Sequence, residues 1–227
     1  MLLIDFFRKY REKKLYRSLG KCGRNVFIGF PNMISKPSHV YMDDFSRIMN
    51  GSNLVIGDGE LRVGKFSSLA SNVTVVTDNH TPTVGVPYFF TGTTHLNDRN
   101  SIIEIKEDCW IGACVILLPG AKINRGCVVA AGALVNKEFP PYSVVAGIPA
   151  KIIGVKFGLE EIIEHEKSLY EEKDRFSLNE LNELFEKFYL DKKVMHHALV
   201  SEKNKETLKE KLSELGFDLS LKRWYEL

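Results

Sequence analysis

Hydrophobic residues recur at intervals of six between residues 105 and 140. One series is aliphatic throughout: Ile105, Ile111, Leu117, Ile123, Val129 and Val135. A second series follows each of these by four positions and is small or apolar, with the bulkier Phe139 at its end: Cys109, Val115, Ala121, Cys127, Ala133 and Phe139. A period of six matches neither an α-helix nor the simple alternation of a strand. It predicts a repeat in which each six-residue unit forms one short strand and a turn.

Three such units complete a triangular coil, and stacked coils form a prism held together by backbone hydrogen bonds. In this arrangement both apolar series point inward. The same pattern reaches upstream through Val63, Leu69 and Val75, and less regularly through residues 26–29 and 54–57. We therefore predict a mainly β chain, built as a parallel β-helix whose first coils are irregular.

The repeat is interrupted between Val75 and Ile105. Residues 78–101 lack the inward pattern and open with the polar sequence Asp78-Asn79-His80-Thr81-Pro82-Thr83. Loops raised from a rigid scaffold often carry binding and catalytic residues. We predict that residues 78–101 form an extruded loop carrying the chemistry of this protein.

The repeat closes in residues 139–151, where prolines cannot continue a strand ladder. Apolar residues at helical spacing then predict a helix at residues 162–169. Ser177 and Glu180 form a capping box at the start of a second helix. A third helix is predicted to carry Leu208, Leu212 and Leu215 and to end at Gly216. We predict three parts: an N-terminal amphipathic helical arm (1–21), a β-helix domain (22–154) and a C-terminal α-helical subdomain (155–227).

Composition narrows the class of protein. Lysine and arginine number 31 against 29 aspartates and glutamates, so charge does not favour nucleic acid as a partner. The four cysteines match neither a zinc-ligand spacing nor a disulfide framework, which favours a reducing, cytoplasmic compartment and predicts that Cys109, Cys114 and Cys127 are buried.

No apolar run is long enough to span a bilayer. The apolar start of the chain precedes its basic cluster, the reverse of an export signal. This segment is expected either to pack on the protein or to lie peripherally on a membrane surface.

Several motifs fall in a familiar order: Cys109-Trp110-Ile111-Gly112-Ala113, Leu118-Pro119-Gly120, residues 131–137 and residues 146–151. They resemble the hexapeptide-repeat acetyltransferases, above all the maltose, galactoside and xenobiotic acetyltransferases and the capsule and O-antigen sugar O-acetyltransferases. The resemblance covers residues 26–154 and implies a left-handed parallel β-helix, acetyl-CoA as cosubstrate and a homotrimer with active sites between subunits. It also implies a small-molecule or oligosaccharide acceptor.

The resemblance implies that His80 is the general base that removes a proton from the acceptor hydroxyl. A neutral imidazole is available for this task near neutral pH. Asn79 and Trp110 match substrate-binding positions near the histidine. A carboxylate is expected to orient the imidazole, and the sequence offers Asp78, Asp98 and Glu104 without choosing among them. His39 and His95 receive no catalytic role.

Coenzyme A requires a slot for its pantetheine arm and cations for its phosphates. Ala113 and Ala131 match positions whose backbone contacts the arm. Asn136, Lys137 and Lys151 match cofactor-proximal positions, and an ammonium group beside phosphate is a favourable point-charge contact. No metal is expected, because the chain lacks the three histidines with which a carbonic anhydrase class of the same architecture binds zinc.

Two other functions stay open. An N-acetyltransferase acting on an amino-sugar nucleotide would use a similar base and cofactor slot, and a noncatalytic trimeric scaffold would use the prism for assembly alone. The acetyltransferase prediction is that the acetyl group passes to a hydroxyl of a sugar or of a surface-polysaccharide precursor.

Overall fold

The structure, a computed structural model, describes residues 2–198 and 200–214. It divides into two compact units, Met1–Ile153 and Gly154–Leu227. The first unit holds the helix α1 (Leu2–Ser18) and a prism of three parallel sheets, which we name A, B and C. Successive strands pass from sheet A to sheet B to sheet C and back, so the chain coils as predicted.

Each sheet is a stack of short strands. Sheet A contains β1 (Lys21–Cys22), β4 (Val40–Met42), β7 (Glu60–Val63), β12 (Ile102–Ile105), β15 (Lys122–Ile123) and β18 (Glu138–Phe139). Sheet B contains β2 (Phe27–Ile28), β5 (Arg47–Ile48), β8 (Ser68–Leu69), β13 (Trp110–Ile111), β16 (Val128–Val129) and β19 (Ser143–Ala146). Sheet C contains β3 (Met33–Ile34), β6 (Asn53–Val55), β9 (Thr74–Val76), β14 (Ile116–Leu117) and β17 (Leu134–Val135).

Register explains the period of six. Trp110 pairs with Val128, so a regular coil takes 128 minus 110, or 18, residues, which is three units of six. Lys21 pairs with Tyr41 at a separation of 41 minus 21, or 20, residues, so the first coil is longer, as its weaker pattern predicted. All twelve residues of the two hexapeptide series are buried, at most 2% exposed, and form the core of the prism.

The loop between Thr77 and Ser101 interrupts the coils without disturbing their stacking. It contains β10 (Asp78–Asn79), α2 (Tyr88–Thr94) and β11 (Arg99–Asn100), and β10 pairs with β11 antiparallel at the base of the loop. Sheet A resumes directly afterwards, because β12 pairs with β7 of the preceding coil. The loop is therefore extruded from the edge of the prism where sheet C meets sheet A.

The end of α1 packs on the first coils. Leu15, Tyr16 and Leu19 contact the core, and the hydroxyl of Tyr16 accepts a hydrogen bond from the backbone N–H of Ile28 at 3.0 Å. The C-terminal end of the arm therefore packs against the prism. Within the described residues, no helix combines the length and apolar character needed to cross a membrane.

The second unit is mainly helical, with α3 (Leu159–Leu169), α4 (Leu178–Phe188) and α5 (Glu202–Glu214). The strand β20 (Lys151–Val155) enters this unit, where its last two residues pair with β21 (Lys193–Val194). The predicted capping box is present: the Ser177 N–H donates to Glu180, and the Glu180 N–H donates to the Ser177 hydroxyl. Leu208 and Leu212 lie in α5, whereas Leu215 and Gly216 lie outside the described residues. The three-part division at residues 21 and 154 stays a prediction.

Candidate active site

Asp78 anchors the base of the extruded loop to the prism. One of its carboxylate oxygens accepts a hydrogen bond from the backbone N–H of Gly59 at 2.9 Å, and the other accepts from the Thr77 hydroxyl at 3.0 Å. Gly59 belongs to the preceding coil, and Asp78 itself lies in β10. This anchor fixes the point from which His80, two residues further on, projects.

His80 and Asp98 form a dyad at the base of the loop. The Nδ1 atom of His80 lies 3.0 Å from each carboxylate oxygen of Asp98. Because an ionised carboxylate only accepts hydrogen bonds, Nδ1 carries the proton and Nε2 keeps a free lone pair. The side chain of Asp98 is only 13% exposed, whereas that of His80 is 47% exposed. The arrangement suits proton abstraction by Nε2 from a molecule arriving from solvent.

Of the three carboxylates that could orient His80, only Asp98 contacts it in the described chain. Asp78 bonds to Gly59 and Thr77, as described above. Glu104 lies on sheet A and pairs with the Lys106 ammonium at 2.6 Å. The structure therefore selects Asp98, which the sequence left as one of three.

His95 is a further member of this cluster that sequence analysis did not assign to the site. Its Nδ1 atom lies 2.8 Å from one oxygen of Asp98, and its ring centroid lies 5.6 Å from that of His80. His95 adopts a left-handed backbone conformation at the end of α2, which turns the chain back so that Asp98 reaches both rings. Hydrogen bonds from His95 and His80 hold the pKa of Asp98 below its ordinary value.

Gly92 leaves open space beside the reactive atom of His80. A methyl group added at Gly92 would lie 3.7 Å from Nε2 of His80 and would meet no other atom within 4 Å except the neighbouring ring carbon, Cδ2. The same helix exposes three consecutive aromatic side chains, Tyr88, Phe89 and Phe90, between 55% and 77%. The half-exposed imidazole of His80 therefore lies beside Gly92, in the helix that also carries the three exposed aromatic side chains.

Trp110 lies on sheet B, away from the edge of the prism at which the loop of His80 emerges. It opens β13, and its side chain is 62% exposed on the outer face of sheet B. Sheet B is the face of the prism opposite the edge from which the loop emerges. No ring contact or hydrogen bond joins Trp110 to His80 among the residues described. Asn79 is exposed in β10, next to His80.

Four of the five predicted cofactor residues occupy two edges of the prism. Ala113 and Ala131 stack one coil apart where sheet B meets sheet C, and the Ala113 carbonyl accepts a hydrogen bond from the Gly132 N–H at 2.8 Å. Asn136 and Lys137 lie exposed where sheet C meets sheet A, and Lys151 is exposed at the start of β20. The two groups thus flank sheet C. Their role in binding coenzyme A stays a prediction.

The cysteines of the repeat and His39 were also the subject of predictions. Cys109 and Cys127 are buried as predicted, but the prediction that Cys114 is buried is wrong. Cys114 takes a left-handed conformation at the turn between sheets B and C, where its side chain is exposed. His39 has a structural contact, with its Nδ1 atom 3.0 Å from the Gly59 carbonyl oxygen, to which it donates.

The prism and its period of six define the chain as a left-handed parallel β-helix of the hexapeptide-repeat class. The bacterial transferase hexapeptide (six repeats) family matches residues 102–137. In sequence and fold the chain resembles the hexapeptide-repeat acetyltransferases, as its motifs predicted.

Named relatives and a solved structure support this resemblance. The chain is 33% identical over 149 residues to serine acetyltransferase 4 of Arabidopsis thaliana, covering 64% of this chain and 39% of the relative. It is 30% identical over 148 residues to the galactoside O-acetyltransferase of Lactococcus lactis, covering 62% and 63%. A hexapeptide-repeat acetyltransferase from Vibrio cholerae, complexed with acetyl coenzyme A, superposes with a TM-score of 0.57 and 22% identity, covering 65% of this chain and 77% of that one. The chain thus spans less than two thirds of the length of either named relative.

Proposed function

We propose that this protein is an acetyl-CoA-dependent O-acetyltransferase that acts on a hydroxyl of a sugar or of a surface-polysaccharide precursor. The observation that carries the proposal is the His80–Asp98 dyad, in which the carboxylate holds Nδ1 and the imidazole is 47% exposed. Acetyl transfer to an alcohol needs such a base, because the hydroxyl is too weak an acid to ionise unaided.

The proposed reaction proceeds by direct attack. Nε2 of His80 takes the acceptor hydroxyl proton while the oxygen attacks the thioester carbonyl of acetyl-CoA. The resulting tetrahedral intermediate collapses with cleavage of the carbon–sulfur bond, and His80 returns the proton to the departing thiolate. Asp98 holds the imidazole in the reactive tautomer and stabilises the positive charge that His80 carries between these two steps.

The donor is proposed to lie along the prism beside sheet C. Ala113 and Ala131 present small side chains and backbone atoms to the pantetheine arm, and Asn136, Lys137 and Lys151 supply polar and basic groups for the phosphate end. The two alanines stack at one edge of sheet C, and Asn136 and Lys137 lie at its other edge. The acetyl coenzyme A complex of the Vibrio protein, which has the same fold, is consistent with this donor.

The active site is proposed to form between subunits of a homotrimer. Within one chain, the loop that carries His80 leaves the edge between sheets C and A, whereas Trp110 lies on the opposite face, sheet B, so we assign the two residues of one site to different copies. A neighbouring copy that presents its sheet B to the loop would bring its own Trp110 to His80. A closed ring of such contacts uses the same pair of surfaces at each interface, as cyclic symmetry requires.

A sugar acceptor is supported by the surroundings of His80. The exposed rings of Tyr88, Phe89 and Phe90 offer apolar surfaces to the carbon–hydrogen face of a sugar, while Asn79 offers an amide to its hydroxyl groups. The galactoside O-acetyltransferase of Lactococcus lactis acts on this class of compound by name. A cytoplasmic location is part of the proposal, since all four cysteines are free thiols. Membrane association of the N-terminal arm stays a prediction.

The experiment is release of free thiol from acetyl-CoA in the presence of simple sugars, nucleotide-sugars and oligosaccharides. Turnover with an acceptor that has only hydroxyl groups, confirmed by an O-acetyl product in the mass spectrum, supports the proposal. Turnover restricted to amino-sugar nucleotides would replace it with N-acetylation. Absence of acetyl-CoA binding in a titration, with the trimer intact by sedimentation, would favour the noncatalytic scaffold.

A further inference from the structure

His80, His95 and Asp98 present three metal-ligating atoms to one point. Each side chain offers one such atom, and the three atoms lie within 4.8 Å of one another. This is the one group of at least three histidine, cysteine or acidic side chains with such geometry in residues 2–198 and 200–214. The dyad uses only two of its members, so the convergence of His95 on the same carboxylate is not explained by base catalysis alone.

The donor set has a clear chemical preference. Two imidazole nitrogens and one carboxylate oxygen suit Zn²⁺ and similar transition-metal ions, whereas Mg²⁺ prefers oxygen ligands. With Zn²⁺ bonds of about 2.0–2.1 Å, tetrahedral ligand atoms lie about 3.3 Å apart. The Nδ1 to carboxylate distances of 2.8 to 3.0 Å are slightly shorter, so small side-chain movements would admit the ion.

Charge and access also suit a cation. The carboxylate of Asp98 accepts hydrogen bonds from both histidines, so it offers the acceptor oxygens and negative charge that a cation requires. The side chain of His95 is 70% exposed, so an ion in solvent can reach it.

We propose that His80, His95 and Asp98 bind a divalent transition-metal ion, with Zn²⁺ as the preferred ion, and that its binding inhibits the enzyme. The ion binds Nδ1 of both histidines, and the proton that each Nδ1 carried moves through solvent to Nε2 of the same ring, so each imidazole stays neutral. Coordination through Nδ1 leaves the proton of a neutral His80 on Nε2, so Nε2 no longer has a lone pair with which to accept the hydroxyl proton. Zn²⁺ binding therefore switches off the base without closing the acceptor space. The inhibitory half of this inference rests on the proposed acetyl transfer, whereas the binding half does not.

The test uses the full chain with Cys22→Ser and Cys114→Ser, because these two exposed thiols could bind zinc themselves. After treatment with a chelator, the protein is titrated with Zn²⁺ against a chromophoric chelator. We expect one equivalent to bind, His95→Ala to weaken binding at least about tenfold, and the control His39→Ala to bind as before. Equal binding by the His95→Ala variant, or no binding by the parent protein, would overturn the site.

Inhibition is measured separately, as the rate of acetyl transfer relative to each variant's own metal-free rate. We expect Zn²⁺ to inhibit the parent protein at the concentration that fills the site, Mg²⁺ to have no effect, and a chelator to restore the rate. The His95→Ala variant should need at least about tenfold more Zn²⁺ for half inhibition. Full turnover with Zn²⁺ bound would overturn the inhibitory half. Zinc binding by a protein with no acetyl transfer at all would support the site and refute the proposed function instead.

Discussion

The Nδ1 atom of His80 lies 3.0 Å from both carboxylate oxygens of Asp98, although 18 residues separate the two in the chain. The antiparallel pair β10 and β11 brings these residues together by joining the two ends of the extruded loop. The geometry of the candidate base therefore depends on the closure of this loop as well as on the two side chains.

The first prediction concerns Asp98. Asp98→Asn removes the charge that holds the His80 tautomer and stabilises the imidazolium, so kcat should fall about tenfold or more. The KM for acetyl-CoA should stay unchanged, because Asp98 does not contact the donor in the proposed mechanism. Steady-state kinetics with both substrates varied would check this, and a variant with the kcat of the parent protein would refute the orienting role.

His95 should set the ionisation of Asp98. The hydrogen bond from His95 is the largest cause of the lowered pKa, so His95→Ala should move the pKa of Asp98 upward toward its ordinary value. A carboxyl with a lowered pKa stays charged as the pH falls below its ordinary range, and its hydrogen bonds are lost only as the pH passes through the lowered value. The variant should lose them at a higher pH. The side-chain carboxyl carbon shift of Asp98, followed by NMR against pH, measures this; an unchanged midpoint would contradict it.

Gly92 should control access to the base. Gly92→Ala places a methyl group 3.7 Å from Nε2 of His80, in the space that the acceptor oxygen needs. We expect kcat/KM for the acceptor to fall roughly 10- to 100-fold, while the KM for acetyl-CoA is retained. Thr93→Ala, in the same helix and exposed, is the matched control. A Gly92→Ala enzyme with normal acceptor kinetics would place the acceptor elsewhere.

Gly112 should be required for the stacking of coils. An added methyl would lie 2.5 Å from the backbone nitrogen of Ala131 and 2.8 Å from the carbonyl oxygen of Val129, and that oxygen accepts the ladder hydrogen bond from the Gly112 N–H. Gly112→Ala should lower the free energy of unfolding by about 1 to 3 kcal/mol in urea denaturation. Gly92→Ala serves as the control, since its methyl comes within 4 Å of no backbone atom outside its own helix, and it should not be destabilised.

Subunit mixing tests the proposed position of the active site. Trimers containing only His80→Ala or only Trp110→Ala subunits should have little activity. If His80 and Trp110 meet across subunits, trimers formed by coexpressing the two variants should recover about a quarter of the wild-type rate, because that share of interfaces combines both intact residues. Recovery should be absent if each site lies within one chain.

The sequence predicted the prism well, because a period of six can be satisfied by few folds. Ile105 and the positions that follow it at multiples of six are all buried, and the register of β13 on β16 reproduces three units per coil. Cys114 shows the limit of the pattern. It lies in the regular stretch but outside both series. Its side chain is exposed because the backbone is left-handed at this turn, and a cysteine in the sequence does not indicate that conformation.

The site was less predictable than the fold. His80 could be identified from its motif and its place in the loop, but Asp98 could not be chosen over Asp78 and Glu104. The choice depends on a short helix, α2, and on left-handed conformations at His95 and Asn97 that direct the chain back to His80. The spacing of His95 and Asp98, three residues apart, was the one available signal for a shared cluster.

The most direct test of the central claim is the acetyl-transfer rate of His80→Ala at saturating acetyl-CoA, measured beside its affinity for coenzyme A. If His80 is the base, the rate should be about 10² to 10⁴ times lower than that of the wild type, with coenzyme A binding and the melting temperature preserved. A variant that binds coenzyme A and transfers acetyl groups at the wild-type rate would contradict the assignment of His80 as the base.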